Sequence, residues 1–203
     1  MTTIIFGGRQ GDMFQDYLYN LRRAIAVQLE KQLESESTET IAKQEIKKMF
    51  LIDKIHFDID KGEISDTGAD RYENVQIGGA IRRAFMKRFS YTIPFTGDST
   101  VIKFRPQTFH GSDRTADISS NYSTKQNQLT VSFRSELNNQ SQLDHNKFDS
   151  LGDISENCSE INSEIETWNN KQLDEAITEI YPKVLAHINE TKDFEKRNNI
   201  KKI

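Results

Sequence analysis

The 203-residue chain has one cysteine, three prolines, one tryptophan and no long apolar run. Each scarcity excludes something. With Cys158 alone, neither an internal disulfide nor a multi-cysteine zinc site is possible, and a single thiol fits a reducing compartment. A membrane-crossing helix needs roughly 20 apolar residues in succession, and no stretch approaches that. The opening MTTIIFGGRQGD lacks the basic start and apolar core of a secretory leader. These absences predict a cytoplasmic protein that makes no membrane contact.

An excess of basic charge is missing too. The net charge is −4 and the isoelectric point about 5.7, which argues against indiscriminate nucleic-acid binding. The charge is unevenly spread. Residues 71–105 carry Arg71, Arg82, Arg83, Lys87, Arg88, Lys103 and Arg105 against Glu73 and Asp98, whereas 136–179 carry eleven acids against Lys147 and Lys171. An acidic run of that kind reads as the solvated face of a helix, or as a surface that attracts the basic segment or steers a charged partner. Although 29% of the residues are charged, twelve Phe and six Tyr supply enough volume for a thin core.

The periodicity of the apolar residues predicts the elements. Phe14, Leu18, Leu21, Ile25, Leu29 and Leu33 recur at three- and four-residue steps, giving an amphipathic helix over 12–34 capped by Asp12. A shorter helix follows, with Ile41, Ala42, Ile46, Met49 and Phe50 on its apolar side. The period then changes to two over 54–60, where Ile55, Phe57 and Ile59 share a face, and a short partner strand is expected near Ile64. Residues 71–83 have no clear pattern, and AIRRAFMKRF starts like a helical turn. Phe85, Phe89, Tyr91, Ile93 and Phe95 predict a strand ending near Pro94, with a turn at 96–99. A returning strand over 100–105 carries Ile102 and Phe104. Residues 106–127 read as a long surface loop, and 128–137 as a strand with Leu129, Val131 and Phe133 inward. After a polar connector over 138–150, Ile154, Cys158, Ile161, Ile165 and Trp168 form a narrow coiled-coil-like seam. Leu173, Ile177, Ile180, Val184 and Ile188 continue a helical stripe that Pro182 should kink or restart, before a frayed basic tail.

The chemistry expected of these residues is slight. His56, His110, His145 and His187 lie far apart without metal-ligand spacing, so neither a metal nor a cofactor is expected. Asp58 and Asp60 would share one strand face, near Glu63 and Asp66 and within reach of Lys61 or Lys103, and such a pair can hold Mg²⁺ in a nuclease. Gly7, Gly8 and Gly11 precede a helix but complete neither phosphate-binding pattern, and they read as a flexible leader. Cys158 sits in the helical seam as a small buried hydrophobe. Arg82, Arg83, Lys87 and Arg88, interleaved with Phe85, Phe89 and Tyr91, could grip a phosphate backbone, although Phe89 and Tyr91 would point away from Arg88.

Two segments carry a resemblance. Ser90–Asp98 with Phe104–Thr108, and Ile161–Asn169 with the helix from Leu173 to Leu185, resemble an uncharacterised bacterial domain family found beside nuclease domains or in phage-defence gene clusters. The similarity extends over about half of the chain. The chain departs from that family at Tyr181-Pro182-Lys183, where a basic run is usual, and no nuclease module is expected after it. The resemblance implies a sensing or assembly domain whose effector is another polypeptide.

Taken together, the sequence predicts one α+β domain. A small antiparallel sheet of about four strands (53–137) is flanked by helical pairs at the N-terminus (1–52) and C-terminus (138–203). The expected function is a non-catalytic interaction, sensing or assembly subunit of a bacterial complex in anti-phage defence that binds a protein partner or a second copy through Ile154, Cys158, Ile161, Ile165 and Trp168. The alternatives are a nucleic-acid-binding adaptor using Arg82, Arg83, Lys87 and Arg88, and a metal-dependent nuclease using Asp58 and Asp60.

Overall fold

Four-residue steps of apolar side chains build the first two helices. The computed structural model describes residues 2–6, 13–34, 38–68, 70–77, 79–110, 114–121, 126–136 and 140–198. Helix α1 (Phe14–Glu34) buries Phe14, Leu18, Ile25 and Leu29, while Leu21 and Leu33 are half-buried. Helix α2 (Glu39–Phe50) buries Ala42, Ile46 and Phe50. Ile41 and Met49, expected on its apolar side, are exposed because the buried line keeps to four-residue steps and turns their faces outward. The Asp12 cap and Gly7, Gly8 and Gly11 lie outside the described residues.

The fold is α+β, as the sequence predicts, but the antiparallel sheet has seven strands where about four were expected. Its strands are β1 (Thr2–Ile5), β2 (His56–Phe57), β3 (Glu63–Asp66), β4 (Arg71–Ile77), β5 (Ala80–Thr96), β6 (Arg114–Asn121) and β7 (Gln126–Glu136). The order is β1-β6-β7-β5-β2, and β5 also pairs with β3 and β4. One edge of β5 is therefore lined in turn by β4, β3 and β2, and the other by β7 from Met86 to Phe95.

Several expectations change here. The leader is not free: Thr2–Ile5 pair with Arg114–Asp117, inside the segment read as a loop over 106–127. Ladder bonds are made by the backbone, so a polar strand such as RTADISSN leaves little periodicity to read. The helical turn expected at AIRRAFMKRF is strand, because Tyr72 and Val75 on β4 give its residues cross-strand partners. Gly79, at φ +84°, closes that hairpin.

The strand expected over 54–60 stops at Phe57 and gives way to a 3₁₀ turn, Ile59–Lys61. Tyr91 Oη donates to Ile59 O at 2.7 Å, and a Cβ at Gly62 would collide with the Tyr91 ring, so only glycine lets the turn close there. The short partner near Ile64 exists as β3, but it pairs with β5. Nor does 100–105 return as a strand. Gly97 (φ +100°) turns the chain, Asp98 accepts from Thr100 N at 2.8 Å, and a 3₁₀ turn over Val101–Lys103 buries Val101 and Ile102.

Helix α3 (Gln140–Thr167) begins within the expected connector. A π-helical segment, Trp168–Gln172, follows, and then α4 (Leu173–Arg197). Pro182 neither ends nor restarts α4; the change of helix lies at the π segment.

The chain divides into two compact units, neither of them one continuous stretch: Met1–Phe14 with Lys54–Asn162, and Gln15–Asp53 with Ser163–Ile203. In the sheet unit, Tyr91, Ile93, Phe95, Leu129 and Val131 are buried, and Lys147 of α3 lies 4.6 Å over the Tyr91 ring. In the helical unit, the Arg22–Glu179 (3.0 Å) and Glu30–His187 (3.9 Å) contacts set α4 parallel to α1. Lys47–Asp174 (2.7 Å) and Lys43 over Tyr181 (4.4 Å) set it antiparallel to α2. Among the described residues, no helix is long and apolar enough to cross a membrane.

Candidate functional site

The β4–β5 hairpin runs past the end of β7. Residues 80–85 of β5 pair with β4, whereas β7 begins its pairing at Met86, and no other strand pairs with 80–85 among the described residues. The result is a two-stranded arm. Alternation places Tyr72, Asn74, Gln76, Ile81, Arg83 and Phe85 on one of its faces. Tyr72 and Ile81 there are 62% and 74% exposed. Tyr72 lies edge-on to Phe85 at 5.0 Å, and the Arg83 guanidinium stacks over its ring at 5.0 Å. Large apolar side chains held outward on a two-stranded ribbon suit contact with another macromolecule.

The opposite face is a charge lattice. Glu73 takes both Arg71 and Arg134, and Arg82 meets Glu136 at 2.6 Å. Beneath these long side chains Ala84 and Met86 are buried. The burial phase of β5 thus shifts between Met86 and Tyr91, and Phe85 and Phe89, expected inside, are half-buried. The Arg71 guanidinium and then Arg134 hold the Glu73 carboxyl below the usual range. Lys87 and the Gly68 N–H do the same for Asp66, and the Lys87–Asp66 pair is 2.5 Å long.

This geometry divides the expected nucleic-acid residues. Arg82 and Arg88 lie on one face and Arg83 and Lys87 on the other, with Arg82 and Lys87 ion-paired. The Arg88 side chain has no partner among the described residues. Phe89 and Tyr91 do face away from Arg88 by strand alternation, as expected.

The other candidate chemistry does not converge. Asp58 and Asp60 sit in and beside the 3₁₀ turn instead of two apart on a strand, and Asp58 pairs with Lys61 at 2.5 Å. The shared carboxylate face required of a nuclease site is absent because the strand ends first. The four histidines remain apart: His110 lies 3.5 Å from Glu156, His145 3.3 Å from Asp149 and His187 3.9 Å from Glu30, while His56 is exposed on β2. Among the described residues, no group of three or more His, Cys, Asp or Glu could hold a metal ion.

The seam is spent inward. Ile154, Cys158, Ile161, Ile165 and Trp168 are all buried, so none is free to face a partner. Asparagines interleave with it in a way that sequence periodicity does not reveal. Asn157 Oδ1 accepts from His110 N (2.9 Å) while its Nδ2 donates to His110 O (2.8 Å). Asn162 makes the same pair with Ile55 (2.8 and 2.7 Å), and Asn169 with Ile52 (3.1 and 2.9 Å). Each side-chain amide acts as one rung of a strand, satisfying both backbone groups of a single residue. Trp168 Nε1 adds a bond to Phe50 O at 2.9 Å. Burial raises the Cys158 thiol to about 11, which keeps it protonated and unreactive near neutrality.

Tyr72 and Ile81 were not singled out from sequence. The signal for them was faint, consisting of aromatic and β-branched residues on either side of Gly78-Gly79. No family model, curated protein or solved structure matches the chain.

Proposed function

We propose that the protein is a non-catalytic interaction and assembly subunit whose contact element is the β4–β5 arm. One observation carries this reading: the arm holds Tyr72 and Ile81 outward on a ribbon anchored by ion pairs on its other face. Apolar side chains in that position add nothing to the core and are suited to burial against a partner. The resemblance to domains of phage-defence clusters points to a bacterial partner that carries the effector chemistry.

The test is co-purification from the native host with the wild type and with Tyr72→Ser, Ile81→Ser as bait. Loss of a partner that the wild type retains supports the reading, and an identical set of partners overturns it. A nucleic-acid adaptor is the second reading, favoured by Arg83 stacked on the exposed Tyr72. It predicts DNA or RNA binding that weakens steeply with salt and is lost in Arg83→Ala.

A further inference from the structure

The helical unit leaves a second surface bare. Between α1 and α4 runs an open groove of about 700 Å³, floored by Ala26, Ile180 and Val184. On the other flank of α1 lies a hollow of about 540 Å³, and the two share Arg23 and Ala26. The ridge of α1 between them carries Tyr19 (64% exposed), Arg23, Ala26 and Val27 (51% exposed). Ridges of one helix seat in the grooves of another, and a small residue such as Ala26 permits close approach.

We infer that the occupant is a second copy of this chain, its α1 packed antiparallel across this ridge about a two-fold axis. Charge complementarity selects that occupant. Arg23 has no partner among the described residues, and Glu30, one further turn pair along the same face, has only His187 at 3.9 Å. A two-fold axis between Ala26 and Val27 brings Arg23 of each copy to Glu30 of the other, twice by symmetry, and sets Ala26 against Val27. The same register turns Tyr19 toward Glu34. Arg22, which would otherwise approach Lys31, is held by Glu179 at 3.0 Å.

The size of the contact limits its strength. Helix α1 spans about 31 Å, and with α4 beside it the face is about 20 Å wide, or roughly 600 Å² per copy. That is at the lower end for a stable interface, so a weak, concentration-dependent dimer is expected.

This inference deepens the assembly reading but uses a surface other than the arm, so the two can fail separately. The test is sedimentation equilibrium of the full chain across a dilution series up to about 100 µM, a range suited to a weak dimer. The wild type should show a monomer–dimer equilibrium. Arg23→Glu and Glu30→Arg should each weaken it at least about tenfold, and the double variant Arg23→Glu, Glu30→Arg should restore it to within about threefold. A wild type that stays monomeric throughout overturns the inference, as does a double variant no better than either single one. In addition, Val27→Cys should crosslink two copies under mild oxidation, because Cys158 is buried. Absence of the crosslinked dimer would overturn the inferred register. If these tests fail while the Tyr72, Ile81 variant still loses a host partner, the assembly reading survives without the dimer.

Discussion

Helix α3 and the β4–β5 arm use polar and apolar residues in opposite senses. On α3 and the π segment after it, asparagines turn inward among buried apolar residues, and each amide is consumed by a backbone N–H and C=O. On the arm, tyrosine and isoleucine turn outward while charged residues cover a small buried patch. Buried polar groups are tolerated when fully paired, so the first arrangement holds loops in place. Exposed apolar groups contribute little to stability, so the second is available for binding. In this molecule the departures from simple patterning, more than the pattern itself, separate scaffold from surface.

The largest expected effect tests the scaffold side. Trp168→Ala should cost about 3–5 kcal/mol in urea unfolding, through lost volume and the bond to Phe50. A cost near zero would mean that the seam is not core. Asn162→Leu should cost about 2–4 kcal/mol, because Ile55 N loses its partner and Ile55 O keeps only the long bond from the Cys158 thiol. If it proved neutral, the amide pairing would be incidental. Acid should act next, and on the arm first. The Glu73 and Asp66 carboxyls are held below their ordinary range by Arg71 and Lys87, so they favour the ionised, folded form. Their contribution is complete above the ordinary carboxylate range and is lost as pH falls through the lowered native values. Amide protection factors in β4 should therefore drop on acidification before those of α3, and a simultaneous drop would remove the contrast. The smallest effect is on the arm's apolar pair: Tyr72→Ser with Ile81→Ser should shift unfolding by no more than about 0.5 kcal/mol per site. A larger loss would make these side chains structural.

Sequence periodicity reached the parts of this fold where one face is dry. Helix α1, the inward line of Tyr91, Ile93 and Phe95, and Leu129 with Val131 were all legible, because burial selects apolar residues at a fixed repeat. Where backbone pairing or charge covers the surface, the repeat vanishes. β6 is polar, β1 was hidden in an apparent leader, and the phase of β5 shifts where arginine stems replace an apolar neighbour. The seam was legible as a helix stripe but not as to which body it packs against, since a core and a docking face share one pattern. Asp58 and Asp60 looked paired because alternation was assumed to continue, and a 3₁₀ turn fixed by Tyr91 ended it. The arm itself could not be located, since its character depends on where β7 stops.

The pairing of β1 with β6 also bears on how the chain is made. Thr2 lies opposite Asp117 and Ile5 opposite Arg114, so β1 must wait for more than a hundred further residues before it finds its place. Closing so long a loop is slow, whereas the β4–β5 hairpin closes locally. The hairpin can therefore form while the protein is still being synthesised, and β1 docks afterwards to complete the sheet edge.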